Sequence, residues 1–158
     1  MLVEPAVHKT DPDTYLLFGV QLKILLSSRE TAGQFSMVEG LMPPGCDAGL
    51  HLHIHEDESM YLYEGELEVT IGDEVFTLKA GESYFAPRNV PQRLRNLGST
   101  TVRAVVMGTP GGFDEFVAAA GIPVIDGVVP PMEAPNEAQL RAVVALAEQH
   151  GIRILAGN

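Results

Sequence analysis

The stretch SMYLYEGELEVTIGDEVFTLKAGESYFAP, residues 59–87, alternates apolar and polar positions between three turn signals: EGE at 64–66, GDE at 72–74 and AGE at 80–82. Successive side chains of a strand point to opposite faces, so a period of two marks strands with one face buried. Glycine beside an acidic residue marks the reversals between them. Short strands at this even spacing predict an antiparallel sandwich or barrel rather than a parallel sheet.

Upstream, YLLFGVQLKILLS (15–27) is apolar and rich in branched residues, SSRETAG supplies a polar turn, and QFSMVEGLM (34–42) follows. These segments are expected to form two strands joined by a loop. The first residues, with Pro5 and TDPD, read as an extended arm over 1–14 before a β-barrel over 15–110. GTPGG (108–112) has glycines but no phosphate-loop lysine, and reads as the turn ending the barrel. A C-terminal extension over 111–158 is expected to pack on the barrel as short helices. FDEFVAAAG forms one helix, stopped by Gly121. Asn136 caps a second, EAQLRAVVALAEQH, with Leu140, Val143, Val144 and Ala147 on one face and Gly151 at its end.

The chain has 158 residues, enough for one domain with a real core. Its formal net charge of −11 repels phosphate backbones and anionic headgroups, which argues against nucleic acid and membrane surfaces as partners. The N-terminus lacks the pattern of a signal peptide and no 18-residue apolar run occurs, so the expected location is the cytoplasm. Cys46 is the single cysteine, which excludes an internal disulfide and any multi-thiolate metal site within one chain. With no basic neighbour to activate it, Cys46 reads as a structural thiol.

Just before the alternating stretch stands HLHIHEDE, residues 51–58. In a regular strand His51, His53 and His55 would share a face, with Glu56, Asp57 and Glu58 as the nearby carboxylates. Neutral imidazole combined with carboxylate suits Fe, Mn, Ni, Co or Zn, and spacing alone does not choose among the six residues.

The wider pattern is more specific. Gly45, His51, His53, Glu58 and Gly65 stand at the spacing of the first motif of the cupin superfamily. Gly81, Pro87, Asn89, Gln92 and Asn96 are similar to the second motif, with Asn89 where the family usually has glycine and Gln92 where it has histidine. The flanking ETAGQFSMVEGLMPPG and VVMGTPGGFDEFVAAAGIP resemble small single-domain bacterial cupins of the quercetin-dioxygenase-like group. The resemblance implies an all-β fold, the double-stranded β-helix or jelly-roll barrel with short C-terminal helices. It implies one divalent transition metal held by His51, His53 and Glu58, with Gln92 at the fourth position. His55 is then expected behind the ligands or at the rim, and Glu56 and Asp57 at a turn or the surface.

Gln92 could ligate weakly through its carbonyl oxygen, leave a three-ligand site open, or accompany loss of the metal. Asn89 tolerates the positive φ that a glycine position demands. Met60, Leu62, Phe35, Met37, Phe85 and Leu94 are expected inside the barrel, as core or cavity wall, with Tyr61 and Tyr63 facing outward. Arg88, Arg93 and Arg95 are expected to pair with surface carboxylates. The same resemblance implies a metal-dependent oxidoreductase, with a dioxygenase acting on a small phenolic, enolic or polyketide-like substrate as the leading expectation. Glu58 would be the catalytic carboxylate, and two copies would associate through the apolar 16–26 segment as a homodimer. The alternatives are a non-oxidative isomerase, cyclase or decarboxylase, and a small-molecule-binding cupin without turnover.

Overall fold

The computed structural model describes residues 3–9 and 11–156; the remaining positions of the predicted arm and tail lie outside the described residues. The strands are β1 (Thr14–Leu17), β2 (Val20–Leu26), β3 (Ser36–Met42), β4 (His51–His53), β5 (Asp57–Glu64), β6 (Glu66–Ile71), β7 (Glu74–Lys79), β8 (Ser83–Ala86), β9 (Gln92–Arg95) and β10 (Val102–Thr109). After them come α1 (Phe113–Ala120), β11 (Ile122–Pro123), α2 (Glu137–Gln149) and β12 (Ile152–Ile154). A seven-stranded sheet runs β11-β1-β2-β3-β10-β5-β8 and a five-stranded sheet β12-β4-β9-β6-β7, with antiparallel pairing in both.

The alternating stretch becomes β5 to β8, and its turn at Gly65 passes the chain from one sheet to the other. Gly65 has φ +87, and a Cβ there would lie 3.0 Å from Val102 Cγ2, so the crossing depends on glycine. Val38, Met42, Met60, Leu62, Ala104 and Val106 from the first sheet face Leu67, Val69, Leu78 and Leu94 from the second as one core. Each fully buried leucine or valine contributes about 1.5–3 kcal/mol by leaving water.

The structure corrects several expectations. Residues 15–27 form a hairpin rather than one strand: Phe18 and Gly19, at φ +50 and +77, make the tight reversal between β1 and β2. Leu16, Leu17, Val20 and Leu22 are buried within the chain itself. On β3 the inward side chains are Val38 and Met42, so Met37 lies on the outer face and Phe35 precedes the strand, half-buried. Apolar residues occupy both faces of β3, so alternation there does not say which face is inside. Phe85 is likewise exposed, because Tyr84 and Ala86 take the inward positions of β8.

The segment after residue 110 also does more than pack helices on the barrel. It returns β11 to the edge of the first sheet and β12 to β4, pairing Ile152 with His53 and Ile154 with His51. Helix α2 begins at the capping box of Asn136 and Gln139, but Leu140 and Val144 are exposed and Ala147 is its buried residue, flanked by half-buried Val143 and Leu146. Among the described residues no helix is long and apolar enough to cross a membrane.

Candidate functional site

Glu58 comes from β5 in the first sheet, while His51 and His53 come from β4 and Gln92 from β9 in the second. The site therefore lies between the sheets. Strand β4 pairs His51 with Gln92 across to β9, and β5 pairs Glu58 with Ala86 and Gly108. Between them the chain leaves the strand after His53 and re-enters at Asp57, which brings Glu58 back against the imidazoles. His55 sits in this turn, exposed and against Gly151, away from the other two histidines. Asn89 adopts φ +64 and its backbone N–H donates to the His53 carbonyl at 2.7 Å, so the β8–β9 turn keeps its shape without glycine.

One donor atom from each of His51, His53 and Glu58 lies within 4.8 Å of the other two. His53 Nε2 is 3.1 Å from Glu58 Oε2. His51 Nδ1 is 2.9 Å from the Gly49 carbonyl, which fixes the proton on Nδ1 and leaves the Nε2 lone pair available. His53 is 4% exposed, yet neither ring nitrogen makes a well-directed hydrogen bond. Apart from the approach of Nε2 to Glu58 the buried ring is unpartnered, and a divalent cation between the three side chains would engage one of its nitrogens. The donor set of two nitrogens and a carboxylate oxygen fits a transition metal.

The charges are arranged accordingly. Burial pushes the His51 imidazole below its usual value, against the pull of Glu58, and so favours the neutral form that ligates. Burial also works against protonated His53, but the Glu58 carboxylate beside it raises the group overall. For Glu58 burial acts upward and is outweighed by His53, His51 and the Tyr84 hydroxyl, so the carboxyl lies below its ordinary range and is ionised. Tyr84 donates to Glu58 Oε1 at 2.8 Å and is held well above the usual phenol value by burial and that same carboxylate.

His51, His53 and Glu58 line a cavity of about 120 Å³, and Tyr84 stands behind Glu58 outside its wall. The rest of the wall is apolar, including Leu17, Val20, Met60, Leu94, Phe113 and Phe116. Phe18, 43% exposed in its tight turn, and Ile154 on β12 are wall residues that also reach solvent and mark the mouth. Of the expected wall residues, Met60 and Leu94 face this cavity and Leu62 is fully buried core, whereas Phe35, Met37 and Phe85 are absent from the wall for the reasons of strand phase given above. The wall also contains residues that the sequence reading left out: Phe18, Phe113, Phe116, Ile152 and Ile154. The signal for Phe18 was the FG dipeptide inside an apolar run.

Glu56 requires a correction. It is 5% exposed rather than a surface residue, and accepts the Phe113 backbone N–H at the start of α1 at 3.1 Å. Burial pushes its carboxyl up to about 7. Asp57 is at the surface, bridged to Arg88, while Arg93 pairs with Asp47 and Arg95 with Glu68. All three arginines are thus matched to carboxylates outside the cavity. Cys46 is buried, and burial raises its thiol above the ordinary value.

Two facing antiparallel sheets with a His-His-Glu cluster between them define a jelly-roll barrel with a candidate metal centre. Residues 38–108 match the cupin domain family, and the chain belongs to the cupin superfamily. Among curated proteins it is similar to the polyketide synthase CurC of Streptomyces cyaneus, 35% identical over 94 residues, covering 58% of this chain and 60% of that one. It is also similar to quercetin 2,3-dioxygenase of Bacillus subtilis, 29% identical over 130 residues, covering 82% of this chain and 38% of the enzyme. The chain thus spans 60% and 38% of the length of these relatives. Among solved structures, a predicted oxalate decarboxylase of Thermotoga maritima superposes with TM-score 0.59 at 22% identity, over 70% of this chain and 99% of that one. An RmlC-like cupin of Shewanella frigidimarina also gives 0.59, at 19% identity over 70% and 93%. These structural likenesses establish the fold.

Proposed function

We propose that the chain is a metal-dependent cupin enzyme acting on a small apolar phenol or enol, and that its reaction is a dioxygenation of the quercetinase type. The observation that carries this reading is the convergence of His51, His53 and Glu58 at one end of an apolar cavity, with a buried His53 ring whose nitrogens lack other partners. A divalent transition metal held there supplies Lewis-acid polarisation of a substrate oxygen and, for a redox-active ion, electron transfer to dioxygen.

The chain's own residues do the rest. Among the described residues Glu58 is the one carboxylate on the cavity wall, and it is ionised, so it is the group that accepts a substrate hydroxyl proton. Leucine, valine, methionine and phenylalanine side chains hold a flat apolar body and keep water from the reacting end. Among the described residues no arginine or lysine lines the cavity, and Arg88, Arg93 and Arg95 are paired with carboxylates elsewhere. A second carboxylate on the substrate would find no counter-ion, which favours a phenol or enol over a dicarboxylate.

A second reading has one observation behind it. Gln92 in the place of the family's histidine weakens the case for redox chemistry, and the same cavity would then serve a non-oxidative cyclase or isomerase, in line with the polyketide-related relative.

Elemental analysis of untagged protein tests the metal, comparing wild type with His51→Ala/His53→Ala. About one ion per chain, lost in the variant, is expected. No metal after incubation with Fe, Mn, Ni, Co and Zn would overturn the proposal. Oxygen uptake with phenols and enols then decides the reaction class, since product formation without oxygen would favour the second reading.

A further inference from the structure

Tyr84 is the inward aromatic of β8, and its hydroxyl touches two polar groups of the site. It lies 2.8 Å from Glu58 Oε1 and 3.4 Å from the Gln92 amide atom placed as Oε1. All three side chains are buried: Tyr84 is 8% exposed, Glu58 6% and Gln92 2%. A phenol has one proton, and a carboxylate oxygen and an amide oxygen are both acceptors. The ionised carboxylate is nearer and takes that proton in a charge-assisted bond. The tyrosine oxygen would then face the Gln92 carbonyl lone pair to lone pair in a buried setting.

An amide's oxygen and nitrogen have nearly the same shape, and only the hydrogen-bond network tells them apart. Half a turn of the Gln92 amide removes the conflict, because Nε2–H then donates to the tyrosine oxygen. The other end of the amide makes no hydrogen bond among the described residues, and His51 is its cross-strand neighbour. We propose that Tyr84 holds the Gln92 nitrogen and thereby turns the Gln92 carbonyl oxygen towards His51, His53 and Glu58 as the fourth ligand atom. Tyr84 is a positioning residue. The same hydroxyl donates its proton to Glu58 Oε1, leaving Oε2, the oxygen beside His53, for the metal.

The ligand role rests on the metal reading above, whereas the orientation does not, so the two are tested separately. In metal-free, nitrogen-15-labelled protein, the Gln92 side-chain NH₂ protons should show nuclear Overhauser contacts to the Tyr84 ring. Contacts to the His51 and His53 rings instead would overturn the orientation. Zinc affinity is then measured by chelator competition on wild type, Tyr84→Phe, Gln92→Leu and the double variant. Loss of the hydroxyl removes the Glu58 bond in both backgrounds, so zinc binding should weaken in both, and about tenfold more when Gln92 is present than when it is leucine. Equal losses in both backgrounds would show that Tyr84 acts through Glu58 alone and would overturn the role of Gln92. A wild type that binds no zinc would remove the ligand role together with the metal reading, while the Overhauser contacts would still decide the orientation.

Discussion

Glu58 and Glu56 stand two residues apart, both more than nine-tenths buried, and their carboxyl groups are displaced in opposite directions. Burial raises each of them. Glu58 faces two imidazoles and a phenol hydroxyl between the sheets, and these overcome the cost. Glu56 faces one backbone N–H at the start of α1 and the charge of His53, while Glu58 and Asp114 repel it, so burial prevails. The difference teaches that depth alone does not make a carboxylate a ligand or a base. The groups that meet it decide.

The largest expected effect breaks the comparison at the metal. Glu58→Gln should weaken divalent-metal affinity by at least about 100-fold, because a neutral amide replaces the charged donor, while Glu56→Gln should change it by less than about threefold. Chelator competition checks both. Comparable losses would mean that Glu56 belongs to the metal site.

The next effect is on stability against pH in metal-free protein. Glu56 has a folded value of about 7 against an ordinary 4.5, so between these values the folded state holds more protons than the unfolded state. Stability from this group therefore falls as pH rises from about 4.5 through about 7, by at most about 3 kcal/mol. His53, whose value is also raised, adds a loss of the same sign as pH climbs through its folded value. Glu58, whose value is lowered, acts oppositely, and its contribution disappears only in acid below its unfolded range. Urea unfolding of wild type and Glu56→Gln at pH 5 and pH 8 isolates the Glu56 part: the variant should gain on wild type at pH 8. An unchanged difference would show that Glu56 is solvated.

A middle effect sharpens the view of Gln92. Gln92→His should raise affinity for Ni, Co or Zn about tenfold if the side chain reaches the metal, since imidazole outranks an amide carbonyl for late first-row ions. No change would place position 92 outside the coordination sphere.

How far the sequence reaches differs between these residues. The alternation of residues 59–87 showed β5 to β8 and their turns, because strands with one wet face carry their orientation in the pattern. Motif spacing picked out His51, His53 and Glu58, which the fold then brings together from two sheets. Position 56 was misread because acidic residues are usually exposed, and only the docking of α1, whose first N–H groups need an acceptor, covers it. Phe85 was expected inside although two adjacent aromatics suit either phase, and the inward position belongs to Tyr84. The Tyr84–Glu58 bond that decides between them is a contact across 26 residues.

Asp57, between the two glutamates, gives the smallest expected effect. It is partly exposed, accepts the Arg88 backbone N–H at 2.9 Å through Oδ1 and meets the guanidinium through both oxygens. A solvated ion pair adds little, whereas the backbone bond ties the turn before β5 to the turn after β8. Asp57→Asn keeps an oxygen for the backbone bond and loses the charge, so its melting temperature should stay within about 2 °C of wild type. Asp57→Ala loses both, and should fall further while keeping metal affinity, because Glu58 is also held by the β5–β8 pairing and by Tyr84. If Asp57→Ala weakened metal binding as strongly as Glu58→Gln, the turn rather than the sheet would be what returns Glu58 to the histidines. The contrast between the two glutamates would then rest on this surface bond.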